Sequence, residues 1–163
     1  MKVSELMTED VITLDPDDNL GMAERHMNDS SIRHLPVVDH EFKLVGLITQ
    51  RDLLRASLSS LHGMAEADSR LKTSILIRDV MHPDVETCKA TDKLQDVCDV
   101  LRHKKYGCMP VLDDEGKLVG IVTDSDFLRL ASLFLSKYDG DKRGEELVHD
   151  AHANSTPPVA DKS

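Results

Sequence analysis

The order of hydrophobic and polar residues along the chain repeats itself after 74 positions. Residues 3–55 align with residues 77–129 without a gap, and 18 of the 53 aligned positions hold the same residue. The identical positions include turn-forming residues as well as apolar ones, such as Pro36 with Pro110 and Gly46 with Gly120. Self-similarity at one fixed spacing is typical of a duplicated structural unit. The sequence therefore predicts two copies of one fold.

Each copy alternates between strand-like and helix-like spacing. The β-rich run at residues 11–14 predicts a strand, and the polar residues 15–18 would end it and supply caps for a helix. Apolar residues then recur at helical spacing, and two apolar runs flank a short polar turn, as in a hairpin. The pattern in each copy is strand, helix, strand, strand, helix, which predicts an α+β fold. The helical apolar positions are Leu20, Ala23 and Met27 in the first copy, and Leu94, Val97, Cys98 and Leu101 in the second.

These elements divide the chain into four parts. We expect the first repeat at residues 1–62, a polar and partly helical connector at 63–76, and the second repeat at 77–138. Gly63 suits the left-handed cap that ends many helices, so the last helix of the first copy would run from about Arg51 to His62. Residues 139–163 show no periodicity, and we expect them to form a disordered acidic tail.

The helix after Asp126 is apolar on more than one side. A helix with two apolar faces needs two neighbours, so this helix is a candidate dimer surface, although deeper burial within one chain would serve equally well. The apolar positions are Phe127, Leu128, Leu130, Ala131, Leu133, Phe134 and Leu135.

Composition and charge narrow the possible partners. The chain has 163 residues, of which 40% are hydrophobic and 31% charged, so it should fold in water. Its net charge of -10 and the absence of a Lys/Arg block argue against nucleic acid and anionic membranes as partners. No run approaches the ~18 apolar residues of a membrane span, and the N-terminus lacks a secretory signal. We therefore expect a cytoplasmic protein.

The cysteines and histidines do not indicate a metal site. Cys88, Cys98 and Cys108 lie ten residues apart without a paired spacing, which fits neither a disulfide framework nor zinc. The eight histidines form no metal-binding motif either. We expect reduced cysteines, no metal and no required cofactor.

A Thr-x-x-Asp motif closes each repeat where a strand turns into a helix. Thr49 with Asp52, and Thr123 with Asp126, match a helix-capping pattern, and capping alone would explain them. The same turn also offers free backbone N–H groups and a positive helix end to a phosphate. A carboxylate there can accept both hydroxyls of a ribose diol. The two roles are compatible.

These motifs resemble a known family. A repeat with Pro-Val-Val-Asp, followed by Lys-Leu-Val-Gly, two apolar residues and Thr-x-x-Asp, is similar to the CBS domain. Two in tandem resemble the module called a Bateman domain, and the resemblance covers about residues 3–136. It implies two β-α-β-β-α repeats packed about a pseudo-twofold axis, with two clefts that commonly hold adenosine-type nucleotides. Each cleft would combine the Thr/Asp motif of one repeat with the first strand and the segment before the proline of the other.

By this resemblance, the first cleft would bind ligand through residues of both repeats. Asp126 would hold the ribose, Thr123 and Ser125 the ribose or phosphate, and Arg33 and His34 the phosphates. The apolar residues would sandwich the base. The full set is Val11, Ile12, Arg33, His34, Leu35, Pro36, Thr123, Ser125 and Asp126.

The second cleft departs from that pattern at two places. Arg51 stands where the second copy has Ser125, and Gly107-Cys108 stands where the first copy has Arg33-His34. Arg51 could supply the missing phosphate contact, whereas Glu86 would bring an acid near the ligand. The full set is Thr49, Arg51, Asp52, Val85, Glu86, Cys108, Met109 and Pro110.

The function expected from these features is regulatory. The chain has no nucleophile motif, P-loop or paired acid and base, so we expect no catalysis. We expect a module that binds an adenine nucleotide (AMP, ADP or ATP) and passes the bound state to an oligomer, most simply a homodimer, or to an unknown protein partner. The alternative is a constitutive dimerisation scaffold whose clefts hold no nucleotide in the cell.

Overall fold

The computed structural model describes residues 1–58 and 72–138. Contacts divide the chain into two compact units, Met1–Asp124 and Ser125–Ser163. The expected acidic tail, the helix end at His62 and most of the connector lie outside the described residues, although residues 72–74 of the connector are helical. The repeat boundaries at 62 and 77 remain predictions.

Helices and strands recur at the predicted spacing, which confirms the duplicated α+β fold. Each helix or strand from α1 to β2 has a counterpart with the same bounds 74 residues later, and α2 and α4 begin 74 residues apart. The first copy contains a 3-10 helix at Val3–Glu5, α1 (Leu20–Ser30), β1 (His34–Val38), β2 (Leu44–Thr49) and α2 (Gln50–Leu58). The second contains a 3-10 helix at Ile77–Asp79, β3 (Cys88–Lys89), α3 (Leu94–Lys104), β4 (Cys108–Leu112), β5 (Leu118–Thr123) and α4 (Asp124–Tyr138).

The strand predicted at residues 11–14 is shorter than expected. Only Leu14 pairs, in parallel with Val37, while the second copy has the two-residue β3. The chain turns at once because Asp15 and Asp18 use their carboxylates to accept backbone N–H groups within the turn. The cap of α1 is Asn19, not one of residues 15–18, since its side chain accepts the N–H of Met22 at 3.1 Å.

The paired strands form two antiparallel hairpins, as predicted. In the first, His34 lies opposite Thr49, and in the second Cys108 lies opposite Thr123. The hairpins meet at an antiparallel bridge between Lys43 and Lys117, which are equivalent positions of the two copies. The duplicated hairpins therefore face each other within the first unit.

The segment that opens each repeat packs into the other repeat. Ile77 is fully buried in the core of the first repeat, and its N–H donates to the carbonyl of Asp18 at 2.8 Å. In the same way, the N–H of buried Val3 donates to the carbonyl of Asp92 at 3.0 Å. Burying an aliphatic side chain contributes roughly 1.5–3 kcal/mol. This exchange ties the two repeats together in one unit.

The first repeat's core contains the apolar residues predicted for α1. Its buried members are Leu14, Leu20, Ala23, Met27, Leu35, Val37, Ile48, Leu53 and Ile77.

In the second unit, which begins at Ser125, the structure describes the part of α4 that ends at Tyr138. Apolar side chains at Leu128, Leu133, Phe134 and Leu135 are exposed there. Among residues 1–58 and 72–138, no helix has the length and apolar character needed to cross a membrane.

Candidate functional site

The carboxylate of Asp52 is buried at the junction of β2 and α2. One of its oxygens accepts the Thr49 backbone N–H at 2.8 Å and the Thr49 hydroxyl at 2.7 Å. The first contact is the half of the predicted capping pattern in which the acid accepts the N–H of the Thr, and the hydroxyl of Thr49 donates to the same carboxylate oxygen. Asp52 and its counterpart Asp126 are the buried charged side chains of the described part of the chain.

The second oxygen of Asp52 is used by a residue from the other repeat. Nε2 of His82 lies 2.9 Å from Oδ1 of Asp52 and donates to it when it carries the proton. The backbone of His82 is held by two hydrogen bonds with Leu47 of β2, at 2.9 and 3.0 Å. Sequence reasoning missed His82, because its counterpart is Thr8 and no motif includes either position.

The environment of Asp52 stabilises its charged form. Burial by itself would raise the pKa of the carboxyl, but the hydrogen bonds from Thr49 and His82 outweigh burial and hold the pKa below 3.8. Asp52 is therefore an ionised acceptor at neutral pH.

A cleft of about 790 Å³ opens beside Asp52, within the first unit. Its volume lies within the roughly 300–1,000 Å³ typical of small-molecule sites. Residues of both repeats line it: Arg33, His34, Leu47, Thr49, Gln50, Arg51, Asp52, Arg55, His82, Asp84, Val85, Glu86, Leu101, Arg102, Lys105, Tyr106, Gly107, Cys108 and Asp124.

This cleft brings together most of the second predicted set. Six of those eight residues line it: Thr49, Arg51, Asp52, Val85, Glu86 and Cys108. Met109 and Pro110 are buried and do not line it. Arg33 and His34, which the family resemblance assigned to the other cleft, line this one.

The cleft has slightly more bases than acids although the chain is acidic. Its lining contains five Lys or Arg residues and four Asp or Glu residues, whereas the whole chain has 20 and 30. The five bases are Arg33, Arg51, Arg55, Arg102 and Lys105. Glu86, the acid that would lie near a bound phosphate, forms an ion pair with Lys104, whose Nζ lies 2.5 Å away. The local field therefore suits an anion better than the net charge suggests.

His34 and Cys108 line the cleft and contribute no charge at neutral pH. Burial lowers the pKa of His34, with Asp124 opposing this and Arg33 adding to it. Burial also raises the pKa of Cys108 to about 12, so its thiol stays protonated. The His34 imidazole lies against Gly107, where an added Cβ would come within 2.5 Å of Nε2.

The residues of the first predicted set are placed as follows. Val11 and Ile12 are half-buried, Leu35 and Pro36 are buried in β1, and Thr123 ends β5. Ser125 and Asp126 belong to the second unit, where Oδ1 of Asp126 accepts a hydrogen bond from Arg129 at 3.1 Å. The assembly of this set into a cleft remains a prediction. No group of three His, Cys, Asp or Glu side chains that could hold a metal occurs in the part of the chain described.

Comparison with known proteins identifies the repeats. The model of the CBS domain family matches residues 3–59 and again 77–133. Inosine-5'-monophosphate dehydrogenase of Methanocaldococcus jannaschii is 35% identical over 147 residues, which are 90% of this chain and 26% of the enzyme. The chain thus spans about a quarter of that relative's length.

Two solved structures share the fold over most of their length. AcuB of Vibrio cholerae has a TM-score of 0.75 and 35% identity, with 85% of this chain and 97% of that chain covered. The structure of CBSX2 in complex with AMP has a TM-score of 0.68 and 26% identity, with 82% and 97% covered.

Proposed function

The chain belongs to the CBS domain family, and we propose that it is a regulatory module that binds an adenosine-type nucleotide between its two repeats. The observation that carries this proposal is the cleft itself. It places five basic and four acidic side chains, among them the ionised and buried Asp52, around one space of about 790 Å³ in an acidic chain. The AMP bound to CBSX2, a protein of the same fold, supports an adenosine ligand.

Each part of a nucleotide has matching groups in the cleft. The Asp52 carboxylate would accept a ribose hydroxyl, since its two oxygens offer about four acceptor positions and Thr49 and His82 use three of them. Apolar parts of Leu47, Val85 and Leu101 would cover the base. Arg33 and Arg51 would meet the phosphates.

Binding would act on the arrangement of the two repeats. The cleft takes residues from both, so a ligand that contacts both favours the arrangement in which they are close. The size of the response is limited by the difference in the ligand's affinity for the two arrangements. The output would pass to a homodimer or to a separate protein partner.

Calorimetric titration with AMP, ADP, ATP and GTP tests the proposal. We expect saturable binding of an adenine nucleotide and a loss of at least about tenfold in affinity in Asp52→Ala, because each good charge-assisted hydrogen bond contributes about 1.5–3 kcal/mol. Asp52→Asn keeps the side-chain shape and should lose less. Arg25→Ala removes an exposed charge that is outside the cleft lining and should bind as the wild type does.

A 2′-deoxynucleotide tests the role of the acid. It should bind more weakly than the ribonucleotide to the wild type and equally to Asp52→Ala. If the wild type bound both ligands equally, the proposed contact between the ribose and Asp52 would be rejected.

The exposed apolar side chains of α4 favour a second candidate, a constitutive dimerisation scaffold. In that case no nucleotide would produce heat, while sedimentation would still show a stable dimer that Leu128→Asp with Leu135→Asp disrupts.

A further inference from the structure

The basic residues of the cleft are not shared by the two copies of the repeat. Only Arg55 has a basic counterpart, Arg129, at the position 74 residues away. The other four correspond to uncharged residues in the other copy: Arg33 to Gly107, Arg51 to Ser125, Arg102 to Asn28, and Lys105 to Ser31. These four bases come from both copies, two from each, at positions where the other copy has no charge, so they do not follow from the fold that both copies share.

Three of these cations form only weak ion pairs within the protein. Arg33 lies 3.5 Å from Asp124, Arg55 lies 3.8 Å from Asp52, and Arg102 lies 3.4 Å from Asp99. The three side chains are 56%, 74% and 63% exposed, and ion pairs that water reaches in this way are weak. A ligand anion can replace such partners at little cost.

Arg51 and Lys105 can bind a ligand anion without breaking an ion pair to a described residue. Neither forms an ion pair with any residue in the ranges 1–58 and 72–138. Arg51 lies in the first turn of α2, and Lys105 is the left-handed residue that ends α3, so the two cations come from different repeats. An anion that meets both contacts both repeats at once.

We propose that this cleft selects a ligand with a chain of linked phosphates, of the nucleoside triphosphate class, over a monophosphate. A single phosphate can satisfy one or two of the cations, whereas a longer phosphate chain carries more negative charge and reaches cations on both repeats. This inference rests on the proposed function for the nucleoside part of the ligand. The preference for a longer phosphate chain rests on the basic side chains of the cleft alone.

The test compares AMP, ADP, ATP and inorganic tripolyphosphate by calorimetry on the full chain. The variant Arg51→Ser with Lys105→Ser replaces each base by the residue at the equivalent position of the other copy. Arg25→Ser with Lys93→Ser removes the same charge from exposed positions outside the cleft lining and is the matched control. All four side chains are exposed, and the unfolding midpoint of each variant checks that it folds.

We expect ATP to bind at least about tenfold more tightly than AMP, with affinity falling as salt is raised. The cleft variant should lose about tenfold for ATP and tripolyphosphate and less than about threefold for AMP, while the control variant stays close to the wild type. Equal affinity for AMP and ATP, or equal losses for both in the cleft variant, would overturn the inference.

The tripolyphosphate arm separates this inference from the proposed function. Tripolyphosphate binding that depends on Arg51 and Lys105, without binding of any nucleotide, would reject the nucleotide function and support the phosphate selection. Binding of AMP and ATP with one affinity, and none of tripolyphosphate, would do the opposite. Absence of binding by all four ligands would reject both.

Discussion

Replacing Gly46 by alanine should destabilise the protein, because this glycine is where the second repeat packs against the first. An added Cβ would come within 2.5 Å of Sδ and 2.9 Å of Cγ of Met81, and within 3.2 Å of the His82 carbonyl oxygen. The Met81 side chain is flexible and can turn away. The carbonyl cannot move as easily, because it accepts the N–H of Leu47 at 3.0 Å.

The magnitude follows from two opposing effects. Overpacking lowers the stability of the folded state by about 1–3 kcal/mol. Alanine also has less backbone freedom than glycine in the unfolded chain, which raises stability by about 0.4–1 kcal/mol. Gly46 is not among the positive-φ residues, so dihedral strain adds nothing. We expect a net loss of about 1–2 kcal/mol in the free energy of unfolding, with a similar loss for Gly120→Ala, where an added Cβ would come within 2.8 Å of Sδ of Met7 and 3.1 Å of the Thr8 carbonyl oxygen.

Urea denaturation of Gly46→Ala, Met81→Ala and the double variant measures the effect. If the clash is with Met81, removing that side chain should make the glycine substitution cheaper, which a double-mutant cycle reports as a coupling energy. Additive effects of the two substitutions would assign the loss to the His82 carbonyl, whereas unchanged stability of Gly46→Ala would refute the reasoning. Since His82 follows Met81, we also expect Gly46→Ala to weaken nucleotide binding.

Four further results are expected. The pKa of His34 is held below 6.5 by burial, so the unfolded chain binds the proton more readily and stability should fall as pH drops below about 6.5. Urea titrations should show a weaker fall in His34→Gln, and identical pH dependence would contradict this. Asp52→Ala should lose about 1–3 kcal/mol of stability and Asp52→Asn less, because the amide can still accept from Thr49; equal losses would reject the cap. Burial raises the pKa of Cys88 and Cys108 to about 12, so at about pH 8 both should react slowly with a thiol reagent until the protein unfolds. Ile77→Ala should cost about 2–5 kcal/mol, since it leaves a cavity in the core of the other repeat, and a loss typical of an exposed position would refute its burial there.

The amino-acid sequence was sufficient for the features that depend on local spacing. The repeat, the two hairpins and the buried faces of α1 and α3 follow from apolar periodicity, turn residues and a constant offset, all of which act within a few residues of chain. The capping role of Thr49 and Asp52 is local in the same sense, because donor and acceptor are three residues apart. Six of the eight residues predicted for the second set also line the cleft, through the family resemblance.

Only the tertiary structure decided which side chains from distant parts of the chain meet. Ile77 enters the core of the first repeat, His82 reaches Asp52 from 30 positions away, and Arg33 faces the same space as Arg51 and Lys105. Hydrophobic periodicity predicts which face of a helix or strand is buried. It does not predict which element covers that face, because contacts between repeats depend on how whole elements pack. For that reason the charge difference between the two copies was visible in the sequence, but its location in one cleft was not.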